Sequence, residues 1–279
     1  MTLPIDTLIE RSRAKRLKIA VVGDTMTDVY VHGQLGECQE DCYKFVEESR
    51  MSVPGGAANA VQSLLHWNVL LAELVQRGTL PVKTRYVVNG KFMWRHDLEQ
   101  NDACFEADRE AAMFYLRESP VDAILISDYD KGFLTPDFIQ EIIKLANDRG
   151  VPVVADAKRP PETYAGALLK VNKDYCSRLI TGTYVKRMIV TRGAESPIMF
   201  GDRKEGLYVR LKEKNPVPCV NHVGAGDCFA AHLTLALAHS LSLEDAAAIA
   251  HSAGRCYVQH PHNRPPTIEE IRADMIGDA

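Results

Sequence analysis

Residues 121–155 read VDAILISDYDKGFLTPDFIQEIIKLANDRGVPVVA. The stretch opens on VDAILIS (121–127), short and apolar, as a strand covered on both faces requires. It closes on VPVVA (151–155), of the same character. Between them, TPDFIQEIIKLANDRG (135–150) carries the punctuation of a helix. Thr135 suits the N-cap, Pro136 the first helical position and Gly150 the C-terminal stop. Phe138, Ile142 and Leu145 supply an apolar stripe at helical spacing. A strand, a helix and a second buried strand in this order predict a parallel crossover. KIAVVG (18–23) and RMIVT (187–191) read as further buried strands. The fold class predicted is therefore α/β, a three-layer α/β/α Rossmann-like arrangement about a mainly parallel sheet, with 1–279 as a single domain.

Two regions break the alternation. Residues 28–53 read as strands with no helix between them. Residues 82–97 contain Asn89-Gly90, the preferred pair for a type I′ hairpin turn. Tyr86, Val88, Phe92 and Trp94 alternate there with Lys83, Arg85, Arg95 and Asp97. These pieces predict a small β lid over the C-terminal ends of the parallel strands, where open α/β sheets bind ligands.

Composition narrows the function. The 279 residues are 46% hydrophobic and 25% charged, which excludes wholesale disorder. The balance of 33 basic against 37 acidic residues lacks the basic excess of a nucleic-acid binder. No apolar run approaches the ~18–20 residues that span a bilayer, and the N-terminus lacks a signal-peptide pattern. Seven cysteines without a CxxC pair predict reduced thiols and a cytoplasmic protein. Cys38 and Cys42 have no partner pair at zinc spacing, and HPHNRPP (260–266) reads as an ordered loop.

Four segments carry chemistry. In VNHVGAGDCFAAHLTLALAHS (220–240), Gly224 and Gly226 allow a tight turn before a helix that begins near Asp227. Backbone N–H groups of that turn favour an anion, and Asp227 places a carboxylate beside them. That pairing suits an acid that takes a proton from a hydroxyl while the turn holds a phosphoryl group; an N-cap after a glycine turn is the plainer alternative. In VPGGAANAVQSLLHW (53–67), Gly55 and Gly56 permit close approach of a ligand and Asn59 is able to bond a polyol. In VVGDTMTDVYVHG (21–33), Asp24 follows the first strand directly, well placed for sugar hydroxyls, or else for capping a turn. In ISDYDKGFLTP (126–136), Asp128 and Lys131 follow a buried strand, and Lys131 is a candidate for a substrate phosphate. There is neither a GxGxxG fingerprint nor a Walker A loop.

These segments, with ADAK (155–158) and VTRG (190–193), resemble the ribokinase-like carbohydrate kinases of the phosphofructokinase-B group, in order from about residue 17 to 270. PGGAAN (54–59) matches the family's N-terminal glycine signature and GAGD (224–227) its C-terminal one. Within the group the sequence is most similar to the bacterial heptose 7-phosphate kinases. The resemblance implies ATP-dependent transfer of a phosphoryl group to a sugar or sugar-phosphate hydroxyl, with Mg2+, and with heptose 7-phosphate as acceptor. It implies Asp227 as base and Gly224, Ala225 and Gly226 as anion hole. Asp24, Gly55, Gly56 and Asn59 match sugar-contacting positions. Thr191, Arg192 and Gly193 match the start of a nucleotide loop, and Asn172 the magnesium–phosphate network. The β lid makes a homodimer in many relatives, and Arg95 on it is a candidate for the substrate phosphate.

The sequence also departs from the family. Where the family has NxxE, this chain reads Asn172-Lys173-Asp174-Tyr175, leaving Asp174 as the nearest carboxylate for the metal. Where the family has D-x-T, it reads Asn221-His222-Val223, which predicts little activation by potassium. Between Leu74 and Val82 the core is shortened. These departures sustain an alternative, a catalytically weakened homologue that binds a sugar phosphate or nucleotide in a regulatory role.

Overall fold

The computed structural model describes residues 2–39, 42–99, 104–178, 187–200 and 208–277. Its strands are β1 (Leu17–Gly23), β2 (Thr25–Gln39), β3 (Cys42–Gly56), β4 (Val69–Val75), β5 (Val82–Val88), β6 (Lys91–Leu98), β7 (Ala123–Ser127), β8 (Val153–Asp156), β9 (Leu168–Asn172), β10 (Met188–Arg192), β11 (Glu195–Phe200) and β12 (Tyr208–Arg210). Its α-helices are α1 (Pro4–Ala14), α2 (Ala57–Ser63), α3 (Glu106–Glu118), α4 (Pro136–Asp148), α5 (Lys173–Arg178), α6 (Ala225–Ala238), α7 (Leu243–Tyr257) and α8 (Ile268–Ile276).

The larger sheet has the order β12-β11-β10-β9-β8-β7-β1-β4, with every pair from β10 to β4 parallel and the last two strands antiparallel. Alternation along β1 explains the layering. Ile19 and Val21 pack into a core with α1, α2, α6, α7 and α8, while Ala20 and Val22 pack into a second core with α3 and α4. A strand buried on both faces needs apolar residues throughout, which is why KIAVVG carries no polar alternation. The helix expected over 135–150 is α4. The Thr135 hydroxyl accepts from the Phe138 N–H at 3.3 Å, and Gly150 takes the left-handed φ of 66°. Its buried face is Phe138, Ile139, Ile142, Ile143 and Ala146, with Leu145 only partly covered.

The lid is the second sheet, of order β3-β2-β5-β6. Asn89 and Gly90 both have positive φ, 50° and 73°, as a type I′ turn demands. One expectation fails. The register shifts between Tyr86 and Val87, so Tyr86 faces Trp94 while Val87 faces Phe92. This irregularity turns Phe92 to the other face, beside Tyr30 and His222. Phe45, Tyr86 and Trp94 remain as an aromatic cluster, with Tyr86 and Trp94 stacked at 4.9 Å.

The lid grows straight out of the core. Asp24 alone separates β1 from β2, and β3 runs into α2. Buried Gln76, just after β4, accepts from the Thr25 N–H at 2.9 Å and donates to the Thr25 carbonyl at 2.7 Å. The short passage from β4 to β5 is thereby pinned to the base of the lid. Cys104, Cys219, Cys228 and Cys256 are free thiols, whereas the side chains of Cys38 and Cys176 lie outside the described residues.

Candidate active site

Gly224 is the N-cap of α6, and its φ of 88° is left-handed. A Cβ there would lie 2.3 Å from Asn59 Nδ2 and 2.4 Å from the Tyr257 hydroxyl, so only glycine fits. The helix begins at Ala225, two residues earlier than the sequence suggests, and Asp227 therefore sits inside its first turn. The N–H groups of that turn lack helical carbonyl partners and form the positive end of the helix dipole.

Asp227 is almost fully buried. Asn59 Nδ2 donates to its Oδ2 at 2.9 Å, and the Tyr129 hydroxyl donates to its Oδ1 at 2.6 Å. Burial pushes its pKa up to about 6, helped by the Asp156 carboxylate and opposed by the bonds from Tyr129 and Asn59 and by the Lys170 charge. Lys170 and Asp156 form a buried ion pair at 2.9 Å. Lys170 Nζ lies against Gly226, where a Cβ would approach it to 2.7 Å. An ammonium group thus stands beside the turn, from a lysine that interrupts the apolar strand Leu168–Asn172.

A cavity of about 540 Å3 opens from this turn. Tyr129, Lys158, Lys170 and residues 224–226 line one end, and Asn172, Asp174, Thr191, Arg192 and Gly193 form another wall. Asn172 Oδ1 accepts from the Tyr175 N–H at 2.7 Å. Thr191 donates its hydroxyl to the Val171 carbonyl, and Gly193, at φ 65°, makes the turn between β10 and β11. Arg192 is tied to the Ser196 carbonyl and to Glu195 and Glu213. His251 also lines the cavity. Its Nε2 is buried and has no hydrogen-bond partner in the described structure, and burial lowers its pKa to about 4, so the ring is neutral.

Several sequence-predicted contacts take other roles. Asp24 is fully buried and accepts from the N–H groups of Tyr129, Lys131 and Phe133 at 2.9, 3.3 and 3.2 Å. It shapes the 129–133 loop. Asn59 holds Asp227 and the Gly224 carbonyl, while its own Oδ1 accepts from the Tyr257 hydroxyl at 3.0 Å, so it positions the carboxylate. Asp128 is buried against Arg159 at 3.0 Å and the Tyr164 hydroxyl at 2.6 Å. Gly55 and Gly56 serve close chain packing, because Cβ atoms there would meet Asp28 Oδ2 at 2.6 Å and the Asp24 carbonyl at 2.4 Å. Arg95 pairs with Asp97 at 2.8 Å and its side chain is 57% exposed, which makes it a lid-surface residue. Lys131 pairs with Glu99 at 2.5 Å.

The lid instead presents Lys83 and Arg85. Arg85 binds the buried Asp28 at 2.5 Å. Lys83 is half-buried, makes no ion pair with the described residues, and lies 5.1 Å from the centre of the Tyr129 ring. Burial and the neighbouring Lys131 charge lower its pKa. The sequence reading overlooked Tyr129, Lys83, Lys170, Asp156 and His251. Lys170 leaves a signal in the sequence as a charge inside an apolar run, and Tyr129 and Asp156 stand within the ISDYDKG and ADAK stretches without being singled out.

With this geometry in view, the fold is that of the ribokinase-like proteins, as comparison with solved structures shows. The chain superposes on phosphofructokinase-2 from Escherichia coli in complex with potassium with a TM-score of 0.74, at 15% identity over 94% of this chain and 99% of that one. It matches the Arabidopsis thaliana ribokinase complexed with ribose and ATP with a TM-score of 0.69, at 16% identity over 94% and 99%. Residues 165–270 match the model of the pfkB family carbohydrate kinases. Among sequence relatives, the bifunctional protein HldE of Syntrophotalea carbinolica is 25% identical over 96% of this chain, and that of Hyphomonas neptunium 28% over 99%. The chain spans 65% and 66% of the length of those two relatives. The resemblance read from the sequence and the three-layer α/β fold with its small second sheet are both borne out.

Proposed function

We propose that this chain transfers the γ-phosphoryl group of ATP to a hydroxyl of a sugar phosphate, with Asp227 as general base. The observation that carries this is the buried Asp227 carboxylate in the first turn of α6, with its pKa raised to about 6. A base so poised takes the proton of the acceptor hydroxyl as its oxygen attacks phosphorus. The turn at 224–226 and the Lys170 ammonium stabilise charge on the transferred group. The cavity takes the nucleotide, with His251 offering a neutral ring nitrogen to the base edge.

Magnesium is part of this reading. Mg2+ is commonly held through one or two carboxylates plus substrate phosphates. Asp174 and Asn172 on the cavity wall fit that donor set, and the ion would neutralise charge on the phosphates. Lys83, a half-buried ammonium that makes no ion pair with the described residues, supports an anionic group on the acceptor. Heptose 7-phosphate, the acceptor implied by the sequence resemblance, satisfies that requirement. In this reading a second copy covers the outer lid face around Tyr86 and Trp94, and the protein is cytoplasmic. Among the described residues no helix is long and apolar enough to cross a membrane.

Tyr175, at the position of the family's glutamate, favours the second reading of a weakened, regulatory homologue. One experiment separates the two. Incubation with Mg-ATP and a panel of sugars and sugar phosphates, read by ADP release, shows acceptor-dependent turnover for the kinase. Binding of nucleotide or sugar phosphate without turnover identifies the regulatory homologue.

A further inference from the structure

We propose that Tyr129 is a plug on the candidate base: without acceptor, its hydroxyl occupies the position on Asp227 that the acceptor hydroxyl takes, excludes water and suppresses wasteful ATP hydrolysis. The inference rests on the kinase reading above.

The two oxygens of Asp227 are held differently. Oδ2 is bound by Asn59, which is itself fixed by the Gly224 carbonyl and the Tyr257 hydroxyl. Oδ1 is bound by the Tyr129 hydroxyl at 2.6 Å, the short distance of an O–H donating to a carboxylate. Tyr129 belongs to the loop after β7, and its own N–H is anchored on Asp24 at 2.9 Å. The main chain is fixed, while the side chain reaches across to α6. Burial and the Asp227 charge hold the phenol pKa well above its ordinary value, so the group remains a donor and cannot replace Asp227 as base. A phenolic O–H donating to Oδ1 is a chemical likeness of an alcohol about to surrender its proton.

The ring stands at the border of the two subsites. Lys158, which lines the nucleotide cavity, is 5.2 Å from its centre, and Lys83 from the lid is 5.1 Å away. These cation–π contacts hold the ring across the entrance to Asp227 without a covalent or ionic lock, so an incoming acceptor is able to displace it. The reaction prevented is fully specified. A water oxygen would form a bond to the γ-phosphorus and its proton would pass to Asp227. The bond from phosphorus to the β–γ bridging oxygen would break, with its electron pair leaving on ADP.

The test uses the full chain with Mg-ATP and no sugar, following phosphate release. Tyr129→Phe keeps the ring and removes the donor. It is expected to hydrolyse ATP about tenfold faster than the parent, the worth of one competing hydrogen bond. Adding Asp227→Asn to Tyr129→Phe is expected to abolish the gain. The acid limb of hydrolysis should also move to higher pH, because the Tyr129 bond is one of the contacts holding the Asp227 pKa down. Tyr129→Leu is read by the same assay and serves if Tyr129→Phe does not fold. A folded variant that hydrolyses ATP at the parental rate with an unmoved acid limb overturns the plug. If the parent phosphorylates a sugar while such a variant stays slow, only the plug is lost. If the parent binds no Mg-ATP by calorimetry, the kinase reading fails and takes the plug with it.

Discussion

The two sheets put the same alternation of side chains to different uses. In β1 both sets of alternating residues are buried, Ile19 and Val21 under one helix layer, Ala20 and Val22 under the other. In β5 and β6 one face carries Lys83, Arg85, Arg95 and Asp97, and the other carries Tyr86 and Trp94, with Trp94 still 40% exposed. The large sheet is a packed platform whose strand ends hold Asp156, Lys170 and the Tyr129 loop against α6. The lid is a two-faced ribbon, charged on one side and carrying a partly exposed aromatic cluster on the other. The difference predicts a division of labour: substitutions at the platform's edge change the rate, and substitutions on the lid change affinity for the acceptor.

The largest test of that division is Asp227→Asn. It is expected to lower kcat by about 10²–10⁴-fold, the worth of a positioned base, with Mg-ATP affinity by calorimetry unchanged. A loss confined to KM would dissolve the distinction between platform and lid. On the lid, Lys83→Met is expected to raise the KM for a phosphorylated acceptor about ten- to hundredfold, as loss of a charged hydrogen bond does, and to leave the KM for ATP alone. An equal rise in both KM values would put Lys83 outside acceptor binding.

The pH profile sharpens the same contrast. Asp227 accepts a proton only when ionised, so with its pKa pushed up to about 6, kcat should be level above that pH and fall below it. The fall approaches about tenfold per pH unit well below the pKa. A profile flat down to pH 4 would show that an ionised Asp227 is not required. Arg95→Ala should change either KM by less than about twofold, because its exposed pair with Asp97 is weak. The smallest effect belongs to potassium. Asn221 Oδ1 accepts from the Val223 N–H at 3.0 Å, and its amide donates to the Tyr30 hydroxyl and to Asn263. Replacing a large organic cation by potassium at constant ionic strength is expected to leave the rate nearly unchanged. A several-fold rise would place a cation site there after all.

What the sequence made legible follows from range. The crossover at 121–155, the Thr135 cap and the Asn89-Gly90 turn are local, set by residues within a few positions of one another. The glycine before Asp227 was legible because left-handed backbone leaves a mark in composition. The shift of register after Tyr86 leaves none, and it misplaced Phe92. The partners of Asp24 and Asn59 within the protein, Tyr129, Phe133, Gly224 and Tyr257, were not legible, because they lie far along the chain. Tyr129 was passed over for a similar reason. Its importance comes from Asp227, Lys83 and Lys158, three residues of three separate segments.

Gln76 has a further consequence. By bonding both the N–H and the carbonyl of Thr25, it ties the root of the lid to the end of an edge strand of the platform. Opening the lid by unzipping from its root would expose those buried groups. Amide hydrogens at Thr25 and Thr27 should therefore exchange with deuterium as slowly as those of β1, while those toward Leu35 exchange far faster. The gradient would run along a single continuous strand, making β2 a cantilever, clamped at one end and compliant at the other.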